Sequence, residues 1–560
     1  MISSSFYLLG EQPSTSRQIT FPSDFSFADL QELVASHFAI VDPNDVGFIH
    51  QNIELTSVNE VRAATDPVAI SISGKSVRDI PGPGGLPYVG SFFEVYPDHL
   101  GNHQRLFNKY GSLFVTTNMG SRIHHTNDPR LANIFFTESP FFSKKIIPNH
   151  PIHPLGMPEA GLFFGDTDSE AWRITHKFLP PALGPKAVRH YAPAMQKTAE
   201  ESFNVFDKLD QDGEAWNVFP YMMKIGSQAV GRLVLGMDFN HFASVDAPLH
   251  EFVLKLAHNV ELSKRVSSFG SWYANMPFGD PKKLRDNMHE IQRMIFEASK
   301  KASTGVEDLN LQDAALQSQN LVDYCLRARD LKGNRLTWDQ FVPALVVLTG
   351  AGFVTSAALL SWMIYALVTN EGVQERLLQE LIDHGWDDNI QVTGDMVNEL
   401  KFLNNVIKET QRTHNPSFQP ARTALVDMIL PGGYRLAKDS IVVADLHHIH
   451  KNPHIWDNAE KFNPDRWDTE KVKNRPAGSY QPFASGPRSC IGFNFALQEV
   501  KIVLSKLLYR YRFSLAETGT VEYNPYYLLI KPNNLYVRAE RRFKWPQKTC
   551  ASTDSLTNRE

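Results

Sequence analysis

Cysteine is scarce in this sequence, which has three cysteines among 560 residues. Because Cys325, Cys490 and Cys550 are widely separated and odd in number, they fit neither a disulfide framework nor a CxxC zinc site. A reducing compartment is the natural interpretation. The N-terminus also lacks the basic and apolar regions of a signal peptide. The net charge of −5 argues against a nucleic-acid-binding protein.

Charged residues are absent between Phe341 and Thr369, a stretch long enough to span a membrane. The stretch also contains Pro343 and several glycine, serine and threonine residues, and it lies deep inside a globular sequence. We therefore predict a buried central helix rather than a transmembrane segment. Hydrophobic residues make up 42% of the chain, enough for a globular core, and the length predicts two structural units or one unusually large unit.

Residues 1–75 have the pattern of a separate small module. Phe27, Leu30, Val34 and Phe38 share one face of a predicted helix, and short strands bounded by turn residues surround it. This order suggests a β-grasp arrangement, similar to ubiquitin-like or PB1-type domains. Two roles stay open for the module: docking or self-association, and stabilisation of the chain. The predicted strands are Ser5–Leu9, Arg17–Phe21, Val46–His50 and Val68–Ser73.

The segment Gln481–Val500 combines a cysteine with glycine and proline. Gly486 and Gly492 permit close backbone approaches, and Arg488 places a permanent cation two residues before Cys490. After Gly492, apolar residues recur mostly at intervals of three or four, which predicts a helix. Cys490 is therefore expected ahead of a helix N-terminus, where backbone N–H groups favour a thiolate. On its own, such a cysteine is more often a small buried hydrophobic residue.

The loop resembles the heme-ligand loop of the cytochromes P-450, F-x-x-G-x-R-x-C-x-G-x-x-x-A. The resemblance implies that heme b binds here with the Cys490 thiolate as the axial iron ligand, whose electron donation favours O–O cleavage. It also implies heme contacts from Phe483, Arg488 and Gly492. All six fixed positions of the motif match: Phe483, Gly486, Arg488, Cys490, Gly492 and Ala496.

The resemblance implies further contacts to the heme propionates. Trp172 and His176 lie one helical turn apart where the family carries W-x-x-x-R, so His176 replaces the arginine and its contact depends on protonation. Arg422, in PARTA, matches a position at which the family's arginine binds a propionate. Arg422 and Arg488 are the preferred clamps, because guanidinium groups pair well with carboxylates. Without the resemblance, Trp172 and His176 would be interpreted as part of a solvated basic helix face.

Gly350–Thr355, with the sequence GAGFVT, resembles the oxygen-binding segment of the family, A/G-G-x-D/E-T. Ala351 and Gly352 would let heme and O₂ lie against the helix, and the Thr355 hydroxyl would relay protons. A threonine within a helix more commonly bonds to its own preceding turn. Val354 stands where relatives usually carry an acid. Proton delivery would then use Thr355 with water or substrate, or the reaction would need less proton delivery.

Glu409 and Arg412 lie three residues apart on a predicted amphipathic helix. The default interpretation is a surface ion pair that contributes at most about 1 kcal/mol. The pair also matches the E-x-x-R motif of the family, and Arg466 in FNPDRW resembles its third partner. The resemblance implies a buried structural network behind the heme loop, not a catalytic group.

The segment Ser76–Gly90 is rich in proline and glycine, which predicts a linker or a chain-entry segment. It also resembles the proline-rich hinge that opens the catalytic domain in this family. In membrane-bound relatives a hydrophobic anchor precedes that hinge, whereas here the predicted module stands in its place. We therefore expect no transmembrane anchor. The expected location is cytoplasmic, with peripheral attachment to the endoplasmic reticulum membrane as an alternative.

The predicted fold is mainly α with small β-sheets. A small α+β, β-grasp-like module over 1–75 and a hinge over 76–90 precede a cytochrome P-450-type helical heme domain over 91–545. A polar tail, 546–560, follows. The C-terminal half looks most like the soluble fatty-acid hydroxylases of the family.

The activity implied is that of a monooxygenase, which inserts one oxygen atom from O₂ into an apolar small molecule such as a lipid or a specialised metabolite. Electrons would come from NADPH through a separate reductase. Two alternatives stay open. One is a heme-thiolate enzyme that uses peroxide or rearranges a hydroperoxide without a reductase. The other is a heme-based sensor or binding protein that works through the N-terminal module.

Overall fold

We describe the chain from a computed structural model. The described residues are 1–148, 150, 152–153, 160–302, 307–417, 419–517, 519–525 and 527–549, so residues 550–560 of the predicted tail lie outside them. The chain divides into two compact units. The first comprises Met1–His150, Gln419–Asp445 and Ser485–Pro487, and the second comprises Pro151–Phe418, Leu446–Ala484 and Arg488–Glu560.

The strands are short. In chain order they are β1 (Ile2–Leu8), β2 (Arg17–Phe21), β3 (Val46–His50), β4 (Ile53–Leu55), β5 (Val68–Ile72), β6 (Arg78–Asp79), β7 (Leu113–Asn118), β8 (Ser121–Thr126), β9 (Phe142–Ser143), β10 (Trp216–Asn217), β11 (Leu309–Asn310), β12 (Ala328–Arg329), β13 (Ala421–Ala424), β14 (Met428–Leu430), β15 (Tyr434–Leu436), β16 (Ile441–Ala444), β17 (Tyr511–Leu515) and β18 (Tyr536–Arg541).

Helices dominate the second unit. The helices of the chain are α1 (Phe27–Phe38), α2 (Val58–Ala63), α3 (Phe92–Val95), α4 (His99–Tyr110), α5 (Pro129–Phe136), α6 (Glu170–Phe178), α7 (Pro180–Leu183), α8 (Pro185–His190), α9 (Ala192–Glu201), α10 (Phe203–Gln211), α11 (Val218–Val230), α12 (Glu251–Ser268), α13 (Ser271–Ala274), α14 (Gly279–Lys301), α15 (Leu311–Gln317), α16 (Leu321–Arg327), α17 (Trp338–Thr369), α18 (Val373–Asp383), α19 (Gly394–Glu399), α20 (Lys401–Thr413), α21 (Leu446–His450), α22 (Glu470–Lys473) and α23 (Phe493–Arg510).

The N-terminal strands form one mixed sheet in the order β2-β1-β5-β3-β4, with β1 and β5 parallel at its centre and the other pairs antiparallel. Leu30 and Val34 of α1 are fully buried with Phe6 and Phe48 of the sheet. A capping box starts α1, in which the Ser26 hydroxyl accepts a hydrogen bond from the third helical residue and its backbone N–H is bonded in return. This is the β-grasp arrangement that the sequence predicts. The prediction began the first strand at residue 5 and missed β4.

The proline- and glycine-rich segment Ser76–Gly90 is hydrogen-bonded to its surroundings in the first unit. β6 pairs in parallel with β15, and the Val115 N–H donates to the Pro81 carbonyl at 2.8 Å. A Cβ atom added at Gly82 would lie only 2.0 Å from the Val115 carbonyl oxygen, so glycine is required there. Proline and glycine thus let this segment pack closely against its neighbours, so the segment is not a free linker.

Two further sheets complete the first unit. One has the order β7-β8-β16-β13-β9, and the other has the order β14-β15-β6. Strands from the middle of the chain therefore pair with strands near its start, which periodicity alone does not reveal. In the second unit β17 and β18 form an antiparallel pair, with β10 at its edge. A closing hairpin between residues 528–532 and 535–539, which the apolar pattern predicts, is wrong for its first strand, because the partner of β18 is β17.

The long apolar stretch forms α17, which packs against α11, α20 and α23 in the second unit. It begins with the capping box of Thr337 and Gln340 that its sequence spacing indicates. A Cβ atom added at Gly226 of α11 would lie 3.0 Å from the Phe353 carbonyl oxygen, so glycine lets the two helices approach closely. By length and composition, α17 is the single helix among the described residues that could cross a membrane, but most of it is buried inside the protein.

Two elements of the second unit were missed in one segment. The composition of Ala302–Asn320 predicts a polar connection, but the segment contains β11 and α15. Ala314 and Ala315 of α15 are buried in the main core. Small apolar residues carry too little hydrophobicity to mark a seven-residue helix in sequence.

Candidate functional site

Cys490 lies in the second unit, in the loop just before α23. Its backbone N–H donates to the Phe483 carbonyl at 3.0 Å, which closes the loop. The residue is exposed and is not part of a disulfide. Gly492 is the N-cap of the eighteen-residue helix α23, and a Cβ atom added there would lie 4.0 Å from the Cys490 sulfur. Cys490 therefore lies just ahead of a helix N-terminus, as the sequence predicts, and the partial positive charge of a helix N-terminus favours a thiolate.

Gly486 has a φ of +75°. A Cβ atom added at this position would lie 2.4 Å from the Phe136 carbonyl oxygen. Because both the backbone conformation and the close approach require glycine, no other residue fits the loop without a rearrangement.

Three of the residues implied as cofactor contacts meet in the second unit. The rings of Trp172 and His176 on α6 stack with centroids 4.3 Å apart and 18° between their planes. The Arg488 guanidinium lies 5.4 Å from the centre of the Trp172 ring, and it donates to the carbonyl oxygens of Gly165 at 2.6 Å and Phe163 at 3.0 Å. The cysteine loop and α6 thus present aromatic rings and a fixed cation together.

Buried polar atoms on α6 test whether heme fits. Trp172 Nε1 and His176 Nδ1 are buried and have no hydrogen-bond partner in the described part of the chain. A buried polar atom without a hydrogen-bond partner is energetically costly, and a carboxylate would provide a partner for both atoms. The adjacent guanidinium also favours a carboxylate. The residues present therefore fit a heme propionate.

The charge of His176 is set by the same neighbours. Burial, together with the nearby Arg488 cation, lowers the pKa of His176 below its usual value. The imidazole is therefore neutral at physiological pH. It would act as a hydrogen-bond donor or acceptor rather than as the fixed cation that the family's arginine supplies.

Arg422 belongs to β13 in the first unit. Its side chain is buried, its guanidinium lies 5.2 Å from the centre of the Phe136 ring, and its Nη1 donates to the Ala421 carbonyl at 2.9 Å. The Nε atom is 3.8 Å from a carboxylate oxygen of Glu138. A buried guanidinium is a group that pairs well with carboxylates.

One stripe of α17 is accessible although the helix is otherwise largely buried. Val347, Leu348 and Thr355 are partly exposed and Ala351 is exposed, at intervals of three or four residues. The Thr355 hydroxyl donates to the Ala351 carbonyl at 2.7 Å, the local bond that a mid-helix threonine commonly makes. Ala351 and Thr355 are small residues on the accessible side of this helix.

Val354 does not share that stripe. Its side chain is 1% exposed and belongs to the main core, about 100° around the helix from Thr355. The residue at the position of the family's acid therefore faces the core, where its aliphatic side chain is well accommodated.

Glu409, Arg412 and Arg466 come together in the second unit. Glu409 and Arg412 are fully buried and joined by two hydrogen bonds of 2.9 and 3.0 Å, and the Arg466 Nε atom donates to Glu409 at 2.9 Å. The Trp467 indole and the Asn463 backbone N–H also donate to this carboxylate. Both guanidinium groups bond to backbone carbonyls. The network ties α20 to the 463–467 segment.

Glu499 is a buried acid that no motif in the sequence singles out. It lies on α23, nine residues after Cys490, and is fully buried. Burial raises the pKa of Glu499 to about 8, opposed by the nearby Ser356 hydroxyl, which is itself buried on α17. The site thus contains a carboxyl that keeps its proton at neutral pH beside the residue that follows Thr355. Only the packing of α23 on α17 brings the two residues together.

A second cluster of titratable side chains lies in the first unit. Asp445 is buried and accepts hydrogen bonds from His125 at 3.0 Å and from Gln419 at 2.9 Å, with His103 at 3.8 Å. His103, His125 and Asp445 have the composition of a metal site. Because these neighbours already satisfy the carboxylate, we interpret the cluster as structural.

Comparison with known proteins identifies the family. A family model described as Cytochrome P-450 matches residues 80–538. The chain is 44% identical over 550 residues to the cytochrome P-450 monooxygenase alnD of Emericella nidulans, which covers 97% of this chain and 99% of that protein. This match extends beyond residues 80–538 and into the N-terminal module.

Two further comparisons concern a fused enzyme and the fold. The chain is 27% identical to the bifunctional cytochrome P-450/NADPH–P-450 reductase ascE of Acremonium egyptiacum, over 83% of this chain and 43% of that protein. The fold matches a crystal structure of the cytochrome P-450DA heme domain with a TM-score of 0.73 at 23% identity, over 83% of this chain and 98% of that domain. The predicted fold class, mainly α with small sheets, is confirmed.

We expect Glu409→Gln to destabilise the protein by about 3–5 kcal/mol, because it leaves two buried guanidinium groups without their carboxylate. The matched control is Asp465→Asn, which breaks an exposed pair with Arg376 at 2.7 Å. That change should cost at most about 1 kcal/mol. Denaturant unfolding measures both. Equal losses in the two variants would contradict a buried network.

We expect Glu499 to make stability depend on pH. The folded protein keeps a proton that the unfolded chain loses above its ordinary pKa of 4.5, so stability falls as pH rises from about 4.5 to about 8. Glu499→Gln cannot ionise and should lack this contribution, so its stability relative to the wild type should rise by at most about 1.4 kcal/mol per pH unit. Thermal unfolding of both proteins across this range measures the difference, and parallel curves would show that Glu499 does not titrate there.

Proposed function

The chain belongs to the cytochrome P-450 family of monooxygenases, and we propose that it inserts one oxygen atom from O₂ into an apolar small molecule, with electrons from NADPH through a separate reductase. The observation that carries the proposal is the Cys490 loop, which presents a sulfur at the N-terminus of α23 beside Arg488, Trp172 and His176. The match to a monooxygenase over nearly the whole chain supports the same reaction class.

Heme b supplies the iron that activates O₂, and donation from a cysteine thiolate favours O–O cleavage. Cys490 would hold the iron, with Phe483 and Gly492 shaping the loop around it. Trp172, His176 and Arg488 would bind a propionate, supported by the two buried atoms that lack partners and by the adjacent guanidinium. Arg422, a buried arginine at the position that matches the family's propionate-binding arginine, is a second proposed propionate contact.

Protons would reach the site from α17. We assign Thr355 as the residue that positions a proton there, because its hydroxyl lies on the accessible stripe with Ala351. Val354 cannot supply one, since its aliphatic side chain carries no acidic proton. The buried Glu499, protonated at neutral pH, lies beside Ser356, the residue that follows Thr355.

The substrate is proposed to be apolar. Val347, Leu348 and Ala351 give the accessible stripe of α17 an aliphatic surface, and the described stripe carries no charged side chain. Such a surface favours a lipid or an apolar specialised metabolite, which gains free energy by leaving water.

The reductase is proposed from the stoichiometry of the reaction. Inserting one oxygen atom and reducing the other to water consumes two electrons and two protons, of which NADPH supplies the two electrons and one proton and the solvent supplies the other proton. No side chain can supply such electrons repeatedly, so a reductase must deliver them. We propose that it acts as a separate protein, in the cytoplasm or at the surface of the endoplasmic reticulum.

Two alternatives follow from specific residues. A heme-thiolate enzyme that uses peroxide or rearranges a hydroperoxide needs less proton delivery, and Val354 favours this alternative. A heme-based sensor would work through the N-terminal module, and the folded module over residues 1–75 motivates it.

The heme ligand is tested by one spectrum. The reduced, CO-bound protein should show the red-shifted Soret band of thiolate ligation, and Cys490→Ser should abolish it. Cys325→Ala is the control, because Cys325 is buried in the main core and should leave the band in place. A band that survives in the Cys490→Ser variant would exclude Cys490 as the ligand.

The reaction class is tested by turnover. The protein with NADPH, a cytochrome P-450 reductase and ¹⁸O₂ should release a product that carries one labelled oxygen atom. Turnover with a hydroperoxide alone, and none with NADPH, reductase and O₂, would favour the first alternative. Ligand-dependent association without any product would favour the sensor. A panel of lipids, terpenes and aromatic metabolites, screened by the spin-state shift on binding, supplies the test substrate.

A further inference from the structure

The N-terminal module is connected to strands far along the chain within the first unit. We infer that the module is a fixed structural part of the first unit, held by its residues 39–45 against β14 and α5, and not a mobile docking arm. The interaction surface on the module is the loop Ala39–Asp45, and its partner is the chain's own β14–β15 hairpin together with Arg130. This inference does not depend on which reaction the enzyme catalyses.

Backbone hydrogen bonds join the two parts. The Val41 N–H donates to the Ile429 carbonyl at 3.0 Å, and the Ile429 N–H donates to the Ala39 carbonyl at 2.9 Å. Ile40 and Ile429 form a parallel bridge. The loop that follows α1 therefore pairs with β14 like a short extra strand.

The hinge is held in the same way. The Val77 N–H donates to the Leu9 carbonyl at 2.8 Å, and the Arg78 N–H donates to the Gly433 carbonyl at 2.8 Å. The Arg78 guanidinium also lies 4.2 Å from the centre of the Tyr434 ring. A chain fixed at successive residues cannot act as a flexible linker.

The apolar cores of the two parts interlock. Ile429 of β14 and Val77 of the hinge belong to the core of the module, with Phe48 and Ile72. Conversely, Val41 of the module packs against the core of the neighbouring sheets. Separating the module would expose these side chains to water, which opposes movement.

Charges fix the same contact. The Arg130 guanidinium, at the start of α5, bonds to Asp45 at 2.8 and 3.1 Å and to Asp42 at 2.5 Å. Although burial acts to raise it, hydrogen bonds from Arg130 and Asn44 hold the pKa of Asp42 below its usual value. On the other side of the hairpin, Arg435 bonds to Glu11 at 2.8 Å. Arg130 bonds to both carboxylate oxygens of Asp45, and a pair joined by two hydrogen bonds fixes the orientation of the two groups as well as their distance.

Hydrogen exchange of the full-length, heme-loaded protein tests the inference. In the wild type, the amides of Val41 and Ile429 should be protected. Arg130→Glu places three negative charges together, and we expect it to speed exchange in peptides 39–45 and 428–433 by roughly tenfold. Arg130→Met, which removes the cation without repulsion, should show a smaller increase in both peptides.

Exchanging the charges on the two sides of the contact should rescue the protection that Arg130→Glu removes, and a second arginine serves as the control. Asp42→Lys and Asp45→Lys, added to Arg130→Glu, should restore protection in both peptides. The control is Arg105→Glu, because Arg105 has the same 47% exposure as Arg130 and pairs with Glu94 at 2.7 Å in the same unit. It should leave both peptides unchanged. Wild-type exchange as fast as that of an exposed loop, or no change in either peptide with Arg130→Glu and Arg130→Met, would overturn the inference.

Discussion

The buried carboxylate of Glu409 is the constraint on which the second unit depends. A charge removed from water is stable only with its partners in place, and this carboxylate has two guanidinium groups, an indole and a backbone N–H around it. The guanidinium groups in turn bond to backbone carbonyls of the segments before the cysteine loop. One ionic network thus fixes irregular backbone that carries little regular secondary structure of its own.

That fixed backbone matters because the Cys490 loop has to hold its shape. Gly486 adopts a positive φ, and the Cys490 N–H bonds back to Phe483, so the sulfur is held ahead of α23 by the chain itself. Arg488 then brings a cation to the stacked rings of Trp172 and His176. His176, whose pKa burial lowers, would offer a propionate at this place a hydrogen bond rather than a second fixed charge.

The first unit shows a different use of irregular backbone. Its proline- and glycine-rich segment is pinned by hydrogen bonds along its length, and the module before it shares apolar residues with the neighbouring sheets. A small domain of this size buries little apolar surface by itself, so the shared contacts stabilise both parts. The role of stabilising appendage, which the sequence left equal to docking, is therefore the one that the contacts favour.

The sequence by itself determined the features that depend on local spacing. The β-grasp elements, the capped apolar helix α17 and the six motif positions around Cys490 are all contained in short stretches, where periodicity and turn chemistry operate. Tertiary structure decided what depends on distant residues. The pairing of residues 39–41 with Ile429, the direction of Val354 into the core and the meeting of Glu499 with Ser356 all join segments far apart in the chain. Burial also set the protonation of His176 and Glu499, because desolvation depends on neighbours that no local pattern specifies.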